Sequence, residues 1–226
     1  MKIAVLGTGH VGQTLAGRFD ERGDEVAIGT RDVAEALART GDDQYGTPGI
    51  GAWSKDHPGV QVLTFADAAA HGELVMNATG GAVSLDALRA AGAANLDGKV
   101  LVDVSNPMDP NSGFPPTLTV ANTDSVGEQI QRAFPDAKVV KSLCTVTAGL
   151  MVHPEQVASG DHDMFLCGDD AGAKQQVTDL LQGLGWRNVI DLGDIGAARA
   201  LEMHLPIWLR LMGALQTPMF NVKVQR

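Results

Sequence analysis

The run Lys2-Ile3-Ala4-Val5-Leu6 reads as a β-strand and ends in Gly7-Thr8-Gly9-His10-Val11-Gly12, after which a helical pattern begins. No other feature narrows the possible folds as much. Glycines at G-x-G-x-x-G spacing between a strand and a helix fit a dinucleotide pyrophosphate seated on the helix N-terminus. Gly7 allows the tight turn, Gly9 lets the backbone approach the phosphates, and Gly12 lets helix and strand pack closely. Thr8, His10 and Val11 would line the phosphates through backbone N–H groups. His10 is read as a loop residue beside phosphate rather than as an acid or base.

A second strand, Glu25 to Gly29, closes on Thr30-Arg31. A carboxylate there would accept a hydrogen bond from the ribose 2′-hydroxyl of NAD. A hydroxyl and a guanidinium suit a 2′-phosphate instead. Thr30 and Arg31 therefore predict NADP(H), although Asp32, one position on, could take a ribose and favour NAD. The net charge of −10 argues against binding to nucleic acid or to an anionic membrane, and means that an anionic cofactor needs a locally positive site.

Strand and helix patterns alternate almost to the end of the chain. Helix is expected over 32–40, 84–91 (with Gly92 as its stop), 125–133 and 170–184, and further strands over 60–64, 73–78, 99–104, 137–141, 163–167 and 189–191. Ser125-Val126-Gly127-Glu128 is a capping-box pattern. The βαβ rhythm predicts an α/β protein: one NAD(P)-binding Rossmann domain over 1–226, with a doubly wound, mostly parallel sheet and 195–226 as a C-terminal helical extension. Two Gly/Pro-rich stretches, 42–59 and 106–122, interrupt it. The second, with Pro107, Pro110, Gly113, Pro115 and Pro116, follows a central strand and is expected to border the substrate pocket, the alternative being a stiffened surface loop. Residues 195–217 read as one helix, kinked at Pro206 and apolar on more than one side. Such a helix is either a core element or a dimer seam or wall over the cofactor ring.

The chemistry-bearing residues cluster at predicted strand ends. Asn77-Ala78-Thr79-Gly80 and Ser105-Asn106-Pro107 would face the nicotinamide ribose and ring, with Thr79 and Asn106 as hydrogen-bonding groups. Lys141-Ser142-Leu143-Cys144-Thr145 points to the same crevice, giving Thr145 as a polar contact, Cys144 as a small residue shaping the pocket, and Lys141 as structural. The six histidines show no metal-ligand spacing, and no catalytic acid or base stands out. Hydride transfer between planar rings needs positioning more than a dedicated proton donor. Two cysteines do not make a disulfide framework, no signal-peptide pattern precedes the first strand, and the apolar run 205–215 is too short to span a bilayer, which points to the cytoplasm.

With Gly7 to Gly12, Gly29-Thr30-Arg31-Asp32, Asp103-Val104-Ser105-Asn106-Pro107 and Cys167-Gly168-Asp169-Asp170 set side by side, the chain resembles the NADP oxidoreductases dependent on coenzyme F420, a deazaflavin, along almost its whole length. Gly113-Phe114-Pro115-Pro116, Asn122-Thr123-Asp124-Ser125 and Leu205-Pro206-Ile207-Trp208-Leu209-Arg210 are similar to a bacterial branch of NADPH-dependent reductases. The resemblance implies a homodimer, a deazaflavin held against the nicotinamide, and cofactor contacts at Thr8, Gly9, His10, Val11, Thr30, Arg31, Ala78 and Thr79. Relatives carry an aromatic followed by His or Asn where this chain has Leu143-Cys144, near the second redox partner. The expected function is NADP(H)-dependent hydride transfer to coenzyme F420 or a flavin-like acceptor. The alternatives are a non-catalytic NADP(H) sensor and a reductase of a quinone or ferric chelate.

Overall fold

A computed structural model describes residues 1–44, 46–109 and 111–225 of the protein. Pro110, one of the prolines of the second long loop, lies outside the described residues. In chain order the elements begin β1 (Lys2–Leu6), α1 (His10–Glu21), β2 (Glu25–Thr30), α2 (Val33–Ala38), α3 (Ile50–Asp56), β3 (Gln61–Thr64), α4 (Phe65–His71) and β4 (Leu74–Asn77). They continue with α5 (Ser84–Ala91), α6 (Ala93–Leu96), β5 (Val100–Asp103), α7 (Val126–Ala133), β6 (Lys138–Ser142) and α8 (Ala148–Val152). The last are β7 (Asp163–Gly168), α9 (Ala171–Gly183), β8 (Asn188–Asp191), α10 (Ala198–Met203) and α11 (Leu205–Leu215).

The strands form one sheet in the order β3-β2-β1-β4-β5-β6-β7-β8. Alternating side chains along each strand supply two cores. Ile3, Val5, Val26, Ile28, Met76 and Val102 pack with Leu15 and Phe19 of α1 and Val177 and Leu181 of α9. Ala4, Leu6, Ala27, Val75 and Leu101 face the other way, against Phe65 of α4, Leu88 of α5 and Ile130 of α7. Both faces are therefore covered, which is why the central strands read as nearly unbroken apolar runs.

Three expectations need correction. A parallel βαβ rhythm to the end fails at β7, which pairs antiparallel with β6 before β8 resumes parallel pairing with β7. A parallel return needs a crossover that retraces the strand, usually a helix. The longest helix in the β6–β7 connection is the five-residue α8, followed by two single 3-10 turns, whereas the thirteen-residue α9 makes the β7–β8 crossover. The stretch 42–59 is not all loop, since it contains α3. The closing helix is two helices broken at His204, with Pro206 in the first turn of α11, where a missing N–H costs nothing. Only Leu205 and Leu209 of α11 are buried, while Ile207 and Leu215 are more than half exposed.

Candidate functional site

The strand order departs from sequence order between β1 and β4, and open α/β sheets bind ligands at the carboxyl ends of strands flanking such a point. A cavity of about 400 Å³ opens there. Of the residues expected from sequence, Gly7, Thr8, Gly9, Thr30, Arg31, Ala78 and Thr79 line it. Gly12 lies beneath, where a Cβ would stand 1.9 Å from the carbonyl oxygen of Gly7. Gly7 itself has φ +117°, a conformation that side chains rarely adopt. Gly9 is the opposite case, with nothing within 4 Å of a Cβ, so the space above the loop is open for a ligand to approach the backbone.

Gly9 is the N-cap of α1 and supplies no side-chain cap, and no acid lies in the first turn. The leading N–H groups of α1 therefore have no acceptor within the helix and carry its positive end. Val11 turns its side chain to the core, and His10 lines a separate cavity of about 320 Å³ shared with α3 and α8. Asp32 caps α2, its Oδ1 accepting from the Glu35 N–H at 2.9 Å. The one acid that could have favoured NAD is thereby committed to holding a helix end.

The other end of the crevice is built differently. Lys141 is fully enclosed, with Nζ 2.8 Å from Asp103 Oδ2, 2.9 Å from Glu202 Oε1, and donating to the Ser105 carbonyl at 2.5 Å. Burial works against its ammonium, but the carboxylates of Asp103 and Glu202 outweigh that and hold its pKa above the usual lysine value. Glu202, from α10, also accepts from the N–H groups of Val126 and Gly127 at 2.9 and 3.0 Å, capping α7 from a distant part of the chain. Arg199, one turn earlier, grips Glu128 at 2.8 and 2.5 Å. Asp103 accepts in turn from Asn77 Nδ2 at 2.8 Å, and Asn77 Oδ1 accepts from the Thr79 hydroxyl at 2.6 Å. A continuous polar chain thus runs from the cavity wall to α10.

Asn106 donates to the Cys144 carbonyl at 2.8 Å, which ties the ends of β5 and β6 together. Asn106 Oδ1, Thr145 Oγ1 and Ser105 Oγ are buried without partners. An orphaned buried polar atom costs about 1–3 kcal/mol, so three at adjoining strand ends suit a ligand with an amide and hydroxyls. Cys144 does not line the 400 Å³ cavity, as expected of a pocket-shaping residue, but packs with Cys167, Ala198 and Leu201 under α10. Burial pushes its thiol up to about 12, leaving it uncharged. No described residue of 106–122 lines that cavity either, although the root of the loop rests on its wall through the Gly81 N–H to Asn106 carbonyl bond at 3.1 Å.

Sequence reading missed two participants. Arg39 lines the 400 Å³ cavity and reaches Thr8 Oγ1 at 3.2 Å, but a lone arginine after a short helix carries no signal. Glu202 was equally silent, although Lys141 within an apolar strand announced that some carboxylate must meet it.

The open glycine loop, the uncapped helix end, the two arginines and the orphaned acceptors all fit a phosphate-rich dinucleotide with an amide-bearing ring, and together with the sheet they define a Rossmann-type oxidoreductase. Residues 2–107 match the family described as NADP oxidoreductase, coenzyme F420-dependent. The chain is 57% identical to a provisionally assigned F420-dependent NADP reductase from Arthrobacter sp. FB24, whose crystal structure matches over 100% of both chains with a TM-score of 0.95. It is 29% identical to the F420-dependent NADP reductase of Methanocaldococcus jannaschii, covering 93% of this chain and 92% of that one. Metalloreductase STEAP3 of Rattus norvegicus is 27% identical over 96% of this chain, which spans 38% of that protein's length. The chain belongs to the coenzyme F420-dependent NADP oxidoreductase family and is an NADP(H)-dependent oxidoreductase. Among the described residues, no helix is long and apolar enough to cross a membrane.

Proposed function

We propose that this chain catalyses hydride transfer between NADP(H) and coenzyme F420. The carrying observation is that one sheet edge joins a cation-lined, glycine-floored cavity to a set of orphaned polar atoms, the two halves that a long dinucleotide needs. The bound cofactor supplies the hydride chemistry through its nicotinamide. The N–H groups of Gly7 to Gly12 hold the pyrophosphate, and Thr30 and Arg31 hold the 2′-phosphate. Thr79, Asn106 and Thr145 orient the nicotinamide end. The hydride carries both electrons, and the single proton that balances reduction of a deazaflavin comes from solvent, so no side chain is assigned as an acid.

Mixing the protein with NADPH and coenzyme F420 without oxygen should oxidise NADPH and reduce the deazaflavin in equal amounts. No NADPH oxidation with any deazaflavin, flavin or quinone would reject catalysis and leave a nucleotide-binding protein. The reading includes a homodimer, supported by the apolar, exposed Ile207 and Leu215 of α11.

A further inference from the structure

Acids outnumber bases 27 to 17 in this chain, and most arginines near a carboxylate use it. Arg31 and Arg39 do not. Among the described residues Arg31 makes no hydrogen bond or ion pair, and Arg39 makes one side-chain bond, to the hydroxyl of Thr8. Both guanidinia line the 400 Å³ cavity, where the acid on the same wall, Asp86, is held by Arg89 at 2.9 Å. Two guanidinia without a carboxylate partner among the described residues of an acidic protein meet the requirement for an anion site.

The placement of Arg39 is enforced by its surroundings. α2 ends at Ala38, and Arg39 turns to extended backbone. The segment 49–51 presses on this end: a Cβ at Gly51 would lie 1.9 Å from the Leu37 carbonyl oxygen, and one at Gly49 would lie 2.3 Å from that of Arg39. The Gly51 N–H donates to the Arg39 carbonyl at 2.8 Å. Gln13 Nε2 then ties this segment to the glycine loop, donating to the Pro48 carbonyl at 2.8 Å and the Thr8 carbonyl at 3.0 Å. Residues 48–51 thus form a bracket that sets Arg39 beside Thr8.

The geometry points to Arg39 as a second cationic ligand of the adenosine 2′-phosphate, closing on it from α2 while Arg31 closes from the end of β2. This rests on the NADP(H) reading of the cavity. The pyrophosphate is served by backbone N–H groups of α1, whereas a phosphate monoester carries between one and two further charges and matches two guanidinia. One guanidinium N–H bonds Thr8, and the rest of the fork remains for the phosphate.

Affinities of wild type and Arg39→Met for NADPH, NADH, 2′,5′-ADP and 5′-ADP separate the possibilities. The variant should weaken NADPH and 2′,5′-ADP by about 10- to 100-fold, leave NADH and 5′-ADP unchanged, and retain the wild-type Tm, because Arg39 is exposed. Arg39→Lys should recover part of the loss. Equal weakening of all four ligands would assign Arg39 to the pyrophosphate and overturn the proposal, as would no change at all. Wild-type protein that binds neither NADPH nor 2′,5′-ADP would instead overturn the NADP(H) reading itself.

Discussion

The two ends of the crevice reach the same edge of the sheet by opposite physical means. At the β1–β2–β4 end, shape is decisive: glycines let backbone meet backbone, a helix end stays uncapped, and among the described residues Arg31 and Arg39 have no carboxylate partner. At the β5–β6 end, charge is internal. Lys141, Asp103 and Glu202 are sealed from water and satisfied by one another and by the start of α7. The first end is built to gain a ligand, and so keeps its donors free. The second end is built to hold position, and among the described residues Asn106 Oδ1, Thr145 Oγ1 and Ser105 Oγ are buried there without partners. The difference teaches where damage should appear, in binding at one end and in stability at the other.

The largest effect should come from Glu202→Ala. It strips a partner from a buried ammonium and leaves the Val126 and Gly127 N–H groups unsatisfied. Breaking such an arrangement costs about 3–5 kcal/mol. Urea unfolding should show this, and Glu202→Gln, which keeps an acceptor for the helix end, should lose less. A loss below about 1 kcal/mol for Glu202→Ala would mean that water enters the cluster and that the two ends are less different than the geometry states.

Arg31→Glu should do the reverse. Arg31 is exposed and, among the described residues, makes no side-chain hydrogen bond or ion pair, so unfolding should stay within about 0.5 kcal/mol of wild type. NADPH binding should weaken by about 1.5–3 kcal/mol, the range for a charge-assisted hydrogen bond. Titration calorimetry with NADPH and NADH would measure it, and equal NADPH affinity in the two proteins would remove Arg31 from the 2′-phosphate site.

This contrast also explains what could be read from sequence. The shape-driven end is local: Gly7 to Gly12 and Thr30-Arg31 sit within a single βαβ unit, and a turn requiring glycine announces itself in the residues. The Ser125–Glu128 capping box is legible for the same reason, and its hydroxyl does accept from the Glu128 N–H at 3.1 Å. The charge-driven end joins Lys141 to a helix some sixty residues later, and no periodicity encodes that meeting. Arg39 was hidden likewise, because its position depends on Gly49 and Gly51 packing against the end of α2. The antiparallel β7 escaped because strand patterning records burial and carries no direction. The break at His204 escaped because Pro206 was placed in a helix interior, when it starts a helix of its own.

The smallest predicted effect probes the boundary between shape and charge at Asp32. If its carboxylate serves the fold, Asp32→Ala should cost about 1 kcal/mol through the lost α2 cap, the usual loss for an N-cap aspartate. The ratio of NADPH to NADH affinity should stay as it was, because Asp32 Oδ1 is already turned to the Glu35 N–H. If the carboxylate instead serves a ribose, the variant should lose NADH affinity selectively and raise that ratio. Measuring both nucleotides on the same protein, together with its unfolding midpoint, decides between these outcomes. A selective loss of NADH would show that the nucleotide end carries an internal acid of its own, which the division between an open end and a sealed one excludes.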